Sequence, residues 1–219
     1  MKSIKNKLYT IIFIFIFCHI ELSSQSIQWN PKETGYYQII DNELIFKSTR
    51  GKKDLIILSK KELSPNNKSS LEIKNYSFSK DREKILIFTN TKKVWRYETK
   101  GDYWVFDLKT KELKKLGYNL PESSLMFAKF SPDGKNVAYV SKENSVKNAV
   151  RNSSTNANIY IENLVTNTIK KITSSNNTKK LINGTFDWAY EEEFDCRDGF
   201  LFNEDGTRIA FWQIDANQV

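Results

Sequence analysis

The chain has 219 residues, 39% of them hydrophobic, which is enough for one domain with a sizeable core. Its formal net charge is +8 at pH 7, but the basic residues are dispersed among polar ones, without a basic stripe or a nucleic-acid-reading motif. We therefore predict a lysine-rich, solvated surface and no nucleic-acid partner. With only two cysteines, the sequence also excludes a small domain held together by disulfides.

Residues 1–24 have the features of a secretory signal peptide. Three lysines precede an apolar run, Leu8–Ile20, and small residues follow it. The run is shorter than the roughly 20 residues that span a bilayer, although an uncleaved membrane anchor stays open as an alternative. Cys18 is a poor lipid attachment site because the bulky Phe17 precedes it. We predict an exported protein that is periplasmic, secreted or tethered to the membrane through its N-terminal segment.

Beyond this leader, Cys196 is the remaining cysteine, and the only histidine of the chain, His19, lies within the leader. The mature chain therefore has no intramolecular disulfide. Without a histidine to activate it, Cys196 is expected to be a small packing residue and not a nucleophile.

Internal repeats are the second strong signal of the sequence. An apolar strand, a turn on Asp or Asp-Gly and a second apolar strand recur at 78–88, 130–139 and 202–211. A second frame of strand, polar turn and strand occurs at 103–116 and 159–173, with a fainter copy at 43–58. Together the two hairpins make four-stranded antiparallel units, which are typical of propeller blades. We predict an all-β chain, the N-terminal portion of a β-propeller with about four blades, over residues 25–219.

The segment 187–194 carries three consecutive carboxylates, Glu191, Glu192 and Glu193, between aromatic residues. Adjacent carboxylates repel one another and raise each other's pKa, and a bound cation offsets that cost. From the residues alone, two interpretations remain: a solvated acidic turn, and a cation or ammonium site. We also expect a short helical segment around 188–194.

This acidic segment, followed by Arg197-Asp198-Gly199-Phe200 and 202–213, resembles the N-terminal β-propeller domain of the dipeptidyl peptidase IV family of serine peptidases. The family pattern is D-W-x-Y-E-E-E-F, then R-D-G-F, then S-P-D-G-x-x-I-A-F-W-Q. The chain departs from it at Ala189 and at Asn203-Glu204. The resemblance implies an eight-bladed propeller followed by an α/β-hydrolase domain. We therefore expect this chain to be a fragment without that C-terminal domain.

The resemblance also implies substrate-binding residues. Glu192 and Glu193 correspond to the glutamates that bind the free N-terminal ammonium of a peptide. Arg96, in Val94-Trp95-Arg96-Tyr97, corresponds to an arginine that contacts a substrate carbonyl, although it also reads as an exposed arginine at a strand end. Four residues are expected to support the glutamates: Asp187, Trp188, Tyr190 and Glu191. We further expect a local ion pair between Arg197 and Asp198.

The chain lacks the residues of a peptidase active site. No G-x-S-x-G motif occurs and no histidine follows the leader, so we assign no catalytic residue, and we predict neither a metal site nor a cofactor. By resemblance, the intact protein is a serine dipeptidyl-peptidase that releases Xaa-Pro or Xaa-Ala dipeptides from peptides with a free N-terminus, and its full-length form is expected to homodimerise. The alternative is a non-catalytic propeller module that binds peptides or proteins.

Overall fold

The computed structural model describes residues 27–32, 34–67, 69–142, 157–174 and 181–218. Within these ranges the chain forms sixteen β-strands, one α-helix and a short 3-10 segment at Pro65–Asn67. The prediction of an all-β fold is confirmed. The predicted signal peptide, 1–24, lies outside the described residues and stays a prediction. Within the described part of the chain, no helix has the length and apolar character that a membrane crossing requires.

The first unit is a four-stranded antiparallel sheet in which the strands pair in chain order. Its strands are β1 (Gln28–Trp29), β2 (Gly35–Ile40), β3 (Glu43–Ser48) and β4 (Leu55–Leu58). Asp41 and Asn42 form the two-residue turn between β2 and β3, and both have positive φ, 49° and 62°. That conformation matches the right-handed twist of the paired strands, and Asp and Asn adopt it more readily than most residues.

The second unit is dominated by one long hairpin. Its strands are β5 (Asn75–Phe78), β6 (Lys84–Val94), β7 (Tyr97–Asp107) and β8 (Leu113–Lys115). Both β6 and β7 contain 11 residues, about twice the usual strand length. Trp95 and Arg96 form the tip of this hairpin, where Trp95 has a φ of 58°.

The third unit repeats the pattern and is joined edge to edge with the second. Its strands are β9 (Leu125–Phe130), β10 (Asn136–Lys142), β11 (Ala157–Asn163) and β12 (Ile169–Lys171). The β10–β11 pair extends over all seven residues of each strand. Because β9 also pairs with the outer part of β7, the two units share one continuous sheet.

A fourth group of strands follows, interrupted by the α-helix. It consists of β13 (Leu181–Asn183), α1 (Trp188–Phe194), β14 (Phe200–Phe202), β15 (Ile209–Phe211) and β16 (Gln213–Asp215). β14 and β15 form an antiparallel hairpin, and β16 pairs with β13, which in turn lies parallel to β11. The described residues thus form three four-stranded units and the start of a fourth.

The turn of the first hairpin has the same hydrogen-bonding pattern in the second and third units. In the third unit, the Ser131 hydroxyl donates to Asp133 Oδ1 at 2.6 Å and accepts from the Asn136 amide at 3.0 Å. In the second unit, Ser79 makes the same bond to Asp81 at 2.5 Å. A short side chain therefore closes each turn by replacing backbone partners that the hairpin leaves free.

The fourth unit keeps this turn although its sequence departs from the Ser-Pro pattern. Asn203 Oδ1 accepts from the Arg208 amide at 2.9 Å, and Asp205 Oδ1 accepts from the Thr207 amide at 2.8 Å. The Asn203 amide oxygen thus accepts the hydrogen bond that the serine hydroxyl accepts in the other units. The hairpin therefore forms in spite of the departure in sequence.

The hydrophobic cores lie between neighbouring units, and each central strand contributes to two of them. On β6, Ile85 and Ile87 face the first core, whereas Leu86 faces the second. On β10, Tyr139 faces the second core and Val140 the third. All five are buried, since successive side chains of a strand point to opposite faces. Strands apolar on both faces are what stacked propeller blades require.

Candidate functional site

The helix α1 begins and ends at aspartates. Asp187 is the N-cap, and its Oδ1 accepts from the Tyr190 amide at 3.1 Å. Asp195 follows the last turn in the left-handed conformation, with a φ of 57°. An N-cap aspartate and a glutamate in the first turn, Glu191, both favour a helix start. The expected short helical segment is therefore confirmed, and it lies between β13 and β14.

Successive residues of α1 point about 100° apart, so its three glutamates face different surroundings. Glu191 points inward and is only 5% exposed. The Glu192 side chain is 7% exposed, whereas Glu193 lies exposed on the surface. The acidic segment is therefore not a solvated turn: two of its three carboxylates are buried.

The tip of the β6–β7 hairpin reaches α1. Arg96 Nε lies 2.9 Å from Glu192 Oε2, and next to this ion pair the rings of Trp95 and Trp188 meet edge to face, 6.5 Å between centroids. The structure thus brings together Arg96 and Glu192, which are far apart in the sequence. Within the described part of the chain, Glu193 forms no ion pair with Arg96.

The second carboxylate oxygen of Glu192 takes no part in this ion pair. The Glu192 Oε1 atom is buried and has no hydrogen-bond partner within the described part of the chain. A buried carboxylate oxygen without a donor is unfavourable, and a ligand that supplies N–H groups removes that penalty.

Glu191 is the most strongly perturbed carboxyl of the site. Burial raises its pKa to about 7, and the neighbouring carboxylates of Glu192 and Asp187 add to the effect. The cations of Arg197 and Lys142 oppose the increase without cancelling it. Its Oε2 atom likewise lacks a hydrogen-bond partner among the described residues. Glu191 therefore gains or loses a proton near neutral pH.

The prediction of an ion pair between Arg197 and Asp198 is wrong. Arg197 Nη2 instead lies 2.5 Å from Asp195 Oδ1, and Asp198 pairs with Lys129 Nζ at 2.6 Å. The reason is the strand geometry: Asp198 is in antiparallel register with Thr185, which directs it towards the third unit. Arg197 stays beside the helix C-terminus that Asp195 closes.

Arg197 also ties the helix to the hairpin. Its guanidinium carbon lies 3.4 Å from the centroid of the Tyr97 ring, next to the hairpin tip. On the other side of α1, Tyr190 packs against the buried Phe186 at 5.8 Å between ring centroids. Trp188 and Tyr190 nevertheless remain 52% and 45% exposed. Aromatic and cation–π contacts of this kind hold the helix against the strands.

Several residues near the glutamates are not evident from the sequence. Trp95 and Tyr97 flank Arg96 in the sequence, so their presence near the site could have been predicted. Lys100 and Lys142 carry no such signal, since they read as ordinary polar residues of strands and interact electrostatically with Glu191 only in the folded chain. In the described ranges, no group of three His, Cys, Asp or Glu side chains could hold a metal ion.

The chain matches the family model described as the dipeptidyl peptidase IV N-terminal region over residues 79–219. It is 27% identical over 193 residues to a probable dipeptidyl-aminopeptidase B of Trichophyton verrucosum, covering 88% of this chain and 19% of the relative. It is 24% identical over 192 residues to the mouse prolyl endopeptidase FAP, covering 87% of this chain and 22% of the relative. The chain thus spans about a fifth of the length of these relatives.

Among solved structures, the chain is similar to dipeptidyl peptidase 4 of Porphyromonas gingivalis, with a TM-score of 0.70 and 22% identity. The likeness covers 88% of this chain and 25% of the other. It supports the fold, part of a β-propeller, and says nothing of activity by itself.

Proposed function

Because the chain belongs to the dipeptidyl peptidase IV family as part of its N-terminal region, we propose that it is the substrate-reading part of an exported serine dipeptidyl-peptidase. In this proposal the whole protein removes Xaa-Pro or Xaa-Ala dipeptides from peptides with a free N-terminus. The nucleophile, base and orienting acid come from a hydrolase domain outside these 219 residues, since the chain has no histidine beyond His19.

The observation that carries the proposal is the buried Oε1 atom of Glu192, which has no hydrogen-bond partner among the described residues and lies beside the Arg96 ion pair. A peptide ammonium has three donors and needs acceptors in a desolvated place. Glu192 offers one inside the fold. Glu193, the next residue of α1, offers a second from the exposed side of the helix.

Arg96 has two functions in this proposal. Its Nε keeps Oε2 of Glu192 engaged, so that only Oε1 is available to the ammonium. Its side chain is 77% exposed, which leaves the terminal nitrogens accessible to a carbonyl oxygen of the bound peptide. A ligand held at its ammonium and at one carbonyl has a fixed register. The bond that is cut is then set by distance from the N-terminus.

The test is Glu192→Gln in the protein expressed from its complete reading frame. We expect kcat/KM for a free Xaa-Pro peptide to fall by about 30-fold or more, the effect of losing one partner of a buried charge pair. Glu112→Gln is the matched control, because Glu112 is exposed in the β7–β8 turn. An N-acetylated peptide should be a poor substrate of both variants.

Equal kcat/KM values for the two variants would refute the ammonium site. Binding of free N-termini without cleavage by the whole protein would instead favour the non-catalytic module. Export is tested separately: sequencing the N-terminus of the mature protein should place it close to Gln25.

A further inference from the structure

The segment 186–197, which contains α1, leaves the sheet and returns to it at a narrow neck. Thr185 and Asp198 pair there in antiparallel register, and the Gly199 amide donates to the Gly184 carbonyl at 3.1 Å. The two strands come this close because position 199 is glycine: a Cβ atom there would lie 3.0 Å from the Gly184 carbonyl carbon. Both ends of the helical segment are therefore fixed to each other at its base.

A buried hydroxyl closes this neck in addition to the backbone pairing. Thr185 is only 1% exposed, and its Oγ1 atom donates to the Arg197 carbonyl oxygen at 2.9 Å. A hydroxyl removed from water needs such a partner, because an unpaired buried polar group is destabilising. Thr185 thus fixes the backbone of Arg197, two residues after Asp195, the C-cap of α1.

The side chain of Arg197 extends from this neck to the hairpin tip. Its guanidinium carbon lies 3.4 Å from the centroid of the Tyr97 ring, and its Nη2 atom lies 2.5 Å from Asp195 Oδ1. Tyr97 directly follows Arg96, the cation that pairs with Glu192. One arginine therefore joins the end of α1 to the strand that follows Arg96, by contacts that are separate from the ion pair itself.

We propose that Arg197 is a positioning residue, held at its backbone by Thr185 and at its side chain by Tyr97. It fixes how far α1 lies from the hairpin tip, and so sets the separation of Glu192 and Arg96. The inference rests on the proposed function, because its consequence is measured at the ammonium site. Arg197 itself touches no substrate in this proposal.

The ion pair alone is a poor determinant of this separation. The Arg96 side chain is 77% exposed and has a long, flexible stem, so it can follow Glu192 through several positions. The Arg197 side chain is 16% exposed, lies against a ring face and extends from a backbone that is itself hydrogen-bonded. Contacts of this kind between rigid elements hold a geometry that a single exposed side chain does not.

The experiment compares Tyr97→Leu with Tyr97→Phe in the protein expressed from its complete reading frame. Leucine removes the ring without changing any charge of the site, so KM for a free Xaa-Pro peptide should rise about fivefold, the size of an exposed cation–π contact. Phenylalanine keeps the ring face and should leave KM within about twofold of the wild type. In both variants kcat should stay unchanged, because the loss concerns peptide binding and not the reacting groups. Tyr118→Leu is the matched control, at an exposed tyrosine between the second and third units.

Thr185→Val tests the other end of Arg197 without altering the hairpin. It replaces the hydroxyl by a methyl group of similar size and should raise KM about as much as Tyr97→Leu, whereas Thr185→Ser should keep the wild-type KM. Since the two contacts act in series, both changes together should raise KM no more than either one alone. Ser79→Ala is the control for lost stability, because its buried hydroxyl closes the turn at the other end of β6. It should lower the Tm and leave KM unchanged.

If Thr185→Val does not fold, Arg197→Lys replaces it. Lysine keeps the charge but has no planar group to stack on Tyr97, so KM should rise by the same factor. A wild-type KM in Tyr97→Leu would overturn the inference, as would an equal rise in Tyr97→Phe. An increase on one side of Arg197 only, or additive effects of the two sides, would also overturn it, because the contacts would then not act through one residue.

Glu192→Gln separates this failure from that of the proposed function. If Glu192→Gln weakens peptide binding while Tyr97→Leu and Thr185→Val do not, only the positioning role is wrong. If none of the three has an effect, the ammonium site is wrong and the positioning role falls with it.

Discussion

The carboxylates of the hairpin turns and those of α1 are opposite cases within one fold. Asp133 accepts hydrogen bonds from the Ser131 hydroxyl and from the Lys135 amide, and these bonds hold the pKa of its carboxyl below the ordinary value. Glu191 is buried with one oxygen unpartnered among the described residues, and burial raises its pKa to about 7. The ionised carboxylates of the turns stabilise the fold. Ionisation of the buried carboxyl in the helix is unfavourable, which is typical of functional sites.

This difference separates structural from candidate functional residues without reference to any relative. Asp133 is exposed and both of its hydrogen bonds come from its own hairpin, so its carboxylate is solvated and stabilises the turn locally. In contrast, Glu192 pairs with Arg96 from a different unit, and its Oε1 atom has no donor among the residues that the structure describes. A site assembled across units in this way depends on the whole sheet and not on local sequence.

The largest expected effect is that of Arg96→Met, which leaves Glu192 buried without its cation. We expect kcat/KM for a free Xaa-Pro peptide to fall about 30-fold or more, measured in the protein expressed from its complete reading frame. Arg50→Met is the control, because Arg50 is exposed in the first unit. If both variants keep wild-type kinetics, the ion pair is not part of a substrate site, and the contrast with the turns loses its functional meaning.

A smaller effect, on stability, is expected for Glu191→Gln. The folded-state pKa of Glu191, about 7, lies above its ordinary value of 4.5, so the folded protein binds the proton more tightly. The free energy of unfolding should therefore decrease as the pH rises from about 4.5 to 7. Glu191→Gln should lack this decrease and be more stable than the wild type at pH 8 by about 2 kcal/mol.

Denaturation by urea at pH 5 and pH 8, followed by tryptophan fluorescence, measures this difference. Equal dependence on pH in both proteins would show that Glu191 is not a destabilising buried acid. A gain in stability on removal of a buried acid is typical of residues retained for function at the expense of stability.

Much of the fold could be predicted from the sequence because its signals are local. An Asp-Gly pair such as Asp133-Gly134 marks a hairpin wherever it occurs, and Gly134 does adopt a φ of 66° there. Alternation of apolar residues then assigns faces, as for Ile85, Leu86 and Ile87. These features need no knowledge of the neighbouring units.

The candidate site was only partly predictable, since its environment is not local. The sequence motif identified Glu192 and Arg96, and the structure places them in contact. The motif could not indicate that Glu191 faces inward. In a helix of only seven residues, packing against the rest of the fold decides which side chains point inward. Lys142 was missed for the same reason: Glu191, whose pKa its charge lowers, lies about fifty residues further along the chain.

The smallest expected effect concerns the turn carboxylate itself. Asp133→Ala removes the acceptor of the Ser131 hydroxyl and the Lys135 amide, and should lower the free energy of unfolding by about 1 kcal/mol at pH 7. Because the folded-state pKa of Asp133 is below 3.8, its contribution is present above that pH and is lost as the pH falls through the folded-state value. The pH dependence is thus opposite in sign to that of Glu191.

Asp133→Asn is the matched variant for the turn, since an amide oxygen keeps the acceptor and loses only the charge. It should be less destabilising than Asp133→Ala, and neither variant should retain the stability change of the wild type below pH 4. Ser131→Ala should add little to Asp133→Ala, because both changes remove the same hydrogen bond. Additive effects would mean that the two side chains stabilise the turn independently. The hydrogen bond from Ser131 would then not be the reason that the Asp133 carboxylate stabilises the turn.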